Sequence, residues 1–422
     1  MRFSSIVPAA LAALLLAPLC TAQEEARSER ERANTPVEDA TLADLAGRNA
    51  IFAADLYQQL RSAEAGNLFF SPHSVSQALA MAYGGARDET RAEIERVFHF
   101  DADTVHAGFN GLDRALASRG RNARGQDAQP FRLRVVNAAW GQRGYAFQAP
   151  YLDTLAENYG AGMRLLDYAG DNEAARRTVN EWVSENTEQK IPELLQPGDV
   201  PGDTKLILTN AIYFNAGWSS QFKERNTQSG NFTCADGSQV QVPFMSQTES
   251  FPHAEGVDFQ AVKLPYDGRE TSMVIVLPAE GSFDAFEASL SGERLNEVCG
   301  LLDGGWRRLQ LDMPRWEFRA RTSLKTALRG MGMEQSFSNG QADFSGMDGT
   351  HDLFIGDVIH EAYVKVNEAG TEAAAATAVI MRATGLPAAP TPFRLDRPFV
   401  FFIRDEATGA VLFLGRVVNP AE

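Results

Sequence analysis

Apolar and polar residues alternate with period two over 359–367 (I-H-E-A-Y-V-K-V-N), the pattern of a β-strand with two different faces. The same reasoning predicts strands at 132–139, 205–214, 272–277, 309–313, 361–366 and 399–404, where β-branched and aromatic residues cluster. A helical period replaces it over 42–60, where Leu42, Leu45, Ile51, Leu56 and Leu60 broadly share one side and Thr41 is placed as an N-cap. Residues 75–83 and 90–97 follow as helices, the second with charges of both signs on its outer face. The elements predict a mixed α/β fold, and no tandem repeat or interdomain linker interrupts the chain after residue 40.

One segment has strand spacing but an unusual content. After the strand that ends at Asn367, the chain reads Glu368-Ala369-Gly370-Thr371-Glu372-Ala373-Ala374-Ala375-Ala376-Thr377-Ala378-Val379. In a sheet, Thr371, Ala373, Ala375 and Thr377 would point to one face and Glu372, Ala374, Ala376 and Ala378 to the other. The only charge then falls on one face, which can be the solvent face. Between Thr371 and Ile380 there is no proline to remove a ladder donor and no bulky inward residue. Such a segment fits between two strands that already exist.

Composition narrows the setting. The 422 residues are 44% hydrophobic, enough for a substantial core. Met1-Arg2, an apolar run from Ile6 to Leu19 and the small residues Cys20-Thr21-Ala22 predict a secretory signal peptide over 1–22, too short to span a membrane. Acylation of Cys20 is the alternative, opposed by the bulk of Leu19 before it. Residues 23–40 read as a charged, disordered tail, and length alone would allow two or three domains in the rest. After processing, Cys234 and Cys299 remain, as a disulfide or as two free thiols. A formal charge of −16 argues against nucleic acid and other polyanions as partners. Arg119, Arg121, Arg124, Arg132 and Arg134 are read as solvated rather than as a polyanion site. Asn231-Phe232-Thr233 is a glycosylation sequon where the machinery exists.

Motifs for catalysis are missing. The six histidines, His73, His99, His106, His253, His351 and His360, form no H-E-x-x-H pair, and no G-x-S-x-G, Walker loop or C-x-x-C occurs. A triad assembled from distant residues is defined by geometry and lies beyond motif reading. The sequence calls for no metal and no cofactor.

Five stretches in order resemble the serpins. They are Asn67-Leu68-Phe69-Phe70-Ser71-Pro72-His73-Ser74, Leu208-Thr209-Asn210-Ala211-Ile212-Tyr213-Phe214 with Gly217-Trp218, the small-residue segment above, Asp396-Arg397-Pro398-Phe399, and Leu412-Phe413-Leu414-Gly415-Arg416. The resemblance implies one domain over 41–422 with three β-sheets, about nine helices, an exposed reactive-centre loop over about 370–397, and a helix at 172–188 lying across the main sheet on Trp182. It implies a secreted monomer, extracellular or periplasmic, that is no enzyme but a suicide inhibitor of serine proteases, whose cleaved loop inserts as a strand. The alternative is a non-inhibitory serpin with a carrier, storage or chaperone role.

Residue by residue, the resemblance carries over a hinge (Glu368, Gly370, Thr371, Glu372, Ala373, Ala374, Ala375, Ala376, Thr377), a shutter (Ser71, Ser74, Asn210, His360) and a breach (Trp218, Arg315), with Glu368 paired to Arg315. Counting the family's seventeen residues from Glu368 places the cut between Thr384 and Gly385. Arg382 and Leu386 are the alternates. A small residue at the cut points to an elastase- or subtilisin-like target.

Overall fold

The computed structural model describes residues 24–121, 123, 131–371 and 389–422. The strands are β1 (Glu25–Ala26), β2 (Leu68–Phe70), β3 (Arg132–Gln142), β4 (Met163–Leu166), β5 (Leu206–Gly217), β6 (Gln228–Thr233), β7 (Gln239–Glu255) and β8 (Phe259–Pro265). They continue with β9 (Thr271–Pro278), β10 (Trp306–Pro314), β11 (Trp316–Ser323), β12 (Val358–Val366), β13 (Gly370–Thr371), β14 (Thr391–Arg394), β15 (Phe399–Asp405) and β16 (Val411–Val417). The helices are α1 (Asp39–Ala63), α2 (Pro72–Tyr83), α3 (Asp88–Phe98), α4 (Val105–Ala117) and α5 (Ala149–Tyr159). After them come α6 (Tyr168–Asn186), α7 (Phe283–Ala288), α8 (Gly292–Leu302), α9 (Lys325–Gly330) and α10 (Ser345–Asp348).

A seven-stranded sheet runs in the order β1-β4-β3-β5-β13-β12-β11. The other strands follow the path β14-β10-β7-β8-β9-β15-β16-β2, with β6 on β7. The long β7 divides that path: its first part pairs with β6 and β10 and its last residues with β8, so the expected three sheets are met with two of them continuous through β7.

The central strand β5 is buried along nearly its whole length because both faces of its sheet are covered. Leu208 and Ile212 face the main core, while Ile207 and Ala211 join Val136, Trp140 and Ile359 beneath α6. Trp182 of α6 meets Trp140 edge-on at 5.4 Å, as the anchoring role required, and Arg164 of β4 stacks on both rings. Helix α2 is buried at every position, capped by Ser71, whose Oγ accepts from Ser74 N at 3.1 Å, and started by Pro72.

The structure corrects several boundaries. Helix α1 begins at Asp39 after Glu38, so Thr41 lies within the first turn and caps nothing. Helix α6 starts at Tyr168 because Asp167 caps it, accepting from Gly170 N at 2.9 Å; it kinks at Asp171 and ends at Asn186.

The tail expected to be disordered is tied down from Glu24 onward. Strand β1 pairs with β4, Arg30 bridges Asp153 and Glu157 of α5, and Arg32 bonds Asn110 and Asp113 of α4. Its cations find carboxylates on helices far away in sequence. Among the described residues no helix is long and apolar enough to cross a membrane.

Candidate functional site at the opening of the seven-stranded sheet

Strands β5 and β12 pair directly and in parallel from Leu208↔Val358 to Ile212↔Ala362. Beyond Ile212 and Ala362 the direct pairing stops, and β13 sits between the two strands, antiparallel to both. Thr371 opposes Val366 on one side and Ala216 on the other, while Gly370 opposes Gly217. The chain therefore enters the sheet at Gly370–Thr371, heading down between β5 and β12. The approach is close: a Cβ on Gly370 would lie 2.1 Å from the Ala216 carbonyl oxygen, so glycine is required there. Thr371 is 1% exposed, and its hydroxyl shares a hydrogen bond of 2.7 Å with Tyr266 Oη on the core face.

The turn feeding β13 is pinned by backbone and side chains together. Trp218 stacks on Tyr266 at 4.7 Å, donates its backbone N–H to Ala369 O at 2.8 Å and its Nε1 to Asn367 O at 3.0 Å. Asn367 Oδ1 accepts from Ala369 N and Gly370 N. The Glu368 carboxylate receives Arg315 Nε at 2.9 Å, Arg315 Nη2 and the Thr227 hydroxyl. Burial pushes its pKa up, but the bonds from Arg315 and Thr227 outweigh that and leave it below the usual carboxylate value. Glu368, Arg315 and Trp218 thus come together at the sheet opening, with Glu368 paired to Arg315.

Below the opening, Asn137, Asn210 and His360 stand at matching positions on β3, β5 and β12 and face helix α2. His360 Nε2 accepts from Ser71 N at 3.1 Å, so the proton sits on Nδ1, which donates to Asn210 Oδ1. Asn210 Nδ2 donates to Ser74 Oγ at 2.6 Å and Asn137 Oδ1 at 2.7 Å, and Ser74 Oγ donates to Asn137 Oδ1 at 3.0 Å. Burial lowers the His360 pKa to about 3, so the ring is neutral at physiological pH.

All four residues expected in this cluster are together, and two more complete it: Asn137 also donates to Ser74 O and Gln77 Oε1. The signal for Asn137 was an amide in the middle of an apolar strand run, V-V-N-A-A-W.

The remaining expected residues divide in two. Glu372, Ala373, Ala374, Ala375, Ala376, Thr377, Arg382, Thr384, Gly385 and Leu386 lie outside the described residues, as does Arg124. Cys234 is buried after β6, Cys299 lies on α8, and both are free thiols, so the disulfide alternative is set aside. Arg119 is not solvated but grips the buried Asp405 through Nε (2.6 Å) and Nη2 (3.0 Å), and Arg132 pairs with Glu188. Among the described residues no group of three or more His, Cys, Asp or Glu is arranged to hold a metal ion.

Comparison with known proteins agrees with this geometry. A family model described as serpin (serine protease inhibitor) matches residues 47–420. An uncharacterized serpin-like protein of Thermococcus kodakarensis is 40% identical over 380 residues, covering 89% of this chain and 86% of its own. The leukocyte elastase inhibitor of Homo sapiens is 36% identical over 386 residues, covering 89% of this chain and 99% of its own. Among solved structures, uncleaved ovalbumin superposes with a TM-score of 0.79 at 27% identity, over 89% of this chain and all of the other.

Proposed function

The chain belongs to the serpin family, whose members are described as serine protease inhibitors, and from that premise we propose that it inhibits by cleavage of its loop and insertion of the freed strand. One observation carries this reading: Gly370–Thr371 already occupies the slot between β5 and β12, in the direction a longer strand would take. Thr371 faces the core at Tyr266, and in a strand that continued from it Ala373, Ala375 and Thr377 would share that inward face and Glu372 would take the other. Every inward residue is small.

In the proposed reaction the protease serine Oγ attacks the carbonyl carbon of Thr384. The Thr384–Gly385 amide breaks, Gly385 leaves as the amine after taking a proton from the protease histidine, and Thr384 is held as an ester. Insertion adds about a dozen ladder bonds at roughly 1 kcal/mol each, on the order of 10 kcal/mol. That drags the acylated protease away and disturbs a triad whose hydrolytic step depends on close alignment.

In this reading the hinge is Glu368 to Thr377, the latch is Glu368 with Arg315 beside Trp218, and the Ser71–Ser74–Asn210–His360 cluster, with Asn137, governs separation of β5 from β12. The target is an elastase- or subtilisin-like serine protease, met one to one by a monomer exported with loss of residues 1–22.

Residues 23–422 incubated with an elastase, a subtilisin and a trypsin should give a protease adduct that survives denaturing electrophoresis, and a C-terminal peptide beginning at Gly385. Clean cleavage without adduct by every enzyme would overturn the inhibitor reading in favour of a carrier, storage or chaperone role. A peptide beginning at Ala383 or Pro387 would move the cut to Arg382 or Leu386.

A further inference from the structure

Trp306 opens β10 with 59% of its surface exposed. On that strand Leu309, Leu311 and Met313 are buried in alternation, so Trp306 falls on the outward set. Arg269 lies over its ring, Cζ 5.8 Å from the centroid, in a cation–π contact. The turn between β8 and β9 holds Arg269 there at a φ of +57°, in the left-handed region that costs a residue with a Cβ about 1 kcal/mol or more. Its Nε donates to Ser219 Oγ at 3.4 Å, and among the described residues no carboxylate lies within ion-pair distance of it. An exposed indole with a guanidinium over its ring is the side-chain pairing that concentrates binding energy at protein interfaces.

Its position says what would cover it. Three residues along β10, Leu309 pairs with Thr391, where the chain returns from the loop. Trp306 also shares a cleft with Trp218 and Ser219, and the Trp218 N–H bonds Ala369 at the other root of the loop. The pair therefore neighbours both roots on the outward surface, where a protease held by a loop anchored at those roots would approach it.

We propose that Trp306 and Arg269 form a secondary docking surface for the protease held by the loop, receiving an apolar patch on the protease with a carboxylate beside it. The proposal rests on the inhibitor reading above.

The test uses the protease of the elastase, subtilisin and trypsin panel that the parent inhibits fastest. Trp306→Ala should lower the second-order association rate about tenfold, and Arg269→Gly, which relieves the left-handed turn while removing the cation, several-fold. The stoichiometry of inhibition should stay at the parent value in both, because the hinge is untouched. The rate for Arg269→Gly should also respond less steeply to salt than the rate for Trp306→Ala, which keeps the cation. Trp306→Tyr should recover most of the lost rate, and thermal melting checks that each variant is folded. Parent-like association by folded Trp306→Ala and Arg269→Gly overturns the docking surface while leaving the inhibitor reading intact. Absence of any adduct with the parent overturns the inhibitor reading itself.

Discussion

Replacing Thr371 with arginine should turn the inhibitor into a substrate while leaving a folded molecule. Thr371 is sealed in the sheet between Ala216 and Val366, with its hydroxyl on Tyr266. A guanidinium at that site would be buried without a counter-charge, costing several kcal/mol. Taking the penalty as about 5 kcal/mol, and a factor of ten in rate for each 1.4 kcal/mol, insertion through this position slows on the order of a thousandfold or more. The intact protein escapes the penalty by expelling β13, which is only two residues long. It then forfeits about three hydrogen bonds at roughly 1 kcal/mol each. Folding therefore survives with about 3 kcal/mol less stability, while the acyl-enzyme is hydrolysed before the strand can enter. Titration of protease with Thr371→Arg should show the stoichiometry of inhibition rising from near one to well above ten, with cleaved inhibitor replacing the adduct band. A Thr371→Arg protein that titrates and forms adduct like the parent would refute insertion at this slot.

The latch at Glu368 should respond to pH. Its folded pKa is depressed, so its contribution is complete above about pH 4.3, the unfolded value, and fades as pH falls through the lower folded value. Because Arg315 is partly exposed, Glu368→Gln should cost only about 1 kcal/mol at pH 7 and should hasten spontaneous loss of inhibition on warming. The difference from the parent should shrink progressively as the pH falls below about 4.3. Burial lowers the pKa of His360 to about 3 and of His73 and His106 to about 4. The unfolded chain therefore takes up protons below about pH 6.5 that the fold refuses, and stability should drop by about 1.4 kcal/mol per histidine between pH 7.5 and 5.5. Urea melts should show that drop shrinking by one such step in His360→Gln. Asn137→Ala strands polar groups of Asn210 and Ser74 and should cost about 2–3 kcal/mol; a loss below 0.5 kcal/mol would remove Asn137 from the cluster.

The sheet opening was legible because its requirements are local. Ser71, Ser74, Asn210 and His360, and the pairing of Glu368 with Arg315, came from short motifs through the family resemblance, and the structure adds that Gly370 stands where a Cβ cannot fit. The tail was not legible, because Arg30 and Arg32 look solvated until α4 and α5 bring Asp113, Asp153 and Glu157 to them. Thr41 has a capping side chain, but α1 begins two residues before it at Asp39, with no side-chain cap from Glu38. Trp306 carried no sequence signal of exposure, since an aromatic residue at a strand start is ordinarily read as core.

Seating Thr371 against Ala216 and Val366 makes the sheet a ruler. Side-chain facing has a period of two, so on the insertion reading a strand that continued from Thr371 would have the height and face of each later residue set in advance. On that reading a cut after Thr384 gives a reach of about 43 Å at roughly 3.3 Å per residue, of which about 33 Å would run beside β5 from Ala216 down to Leu206. Lengthening the segment by two residues would carry the protease about 7 Å further with all faces preserved. Adding one residue would turn every small inward side chain outward and bring the other set into the core.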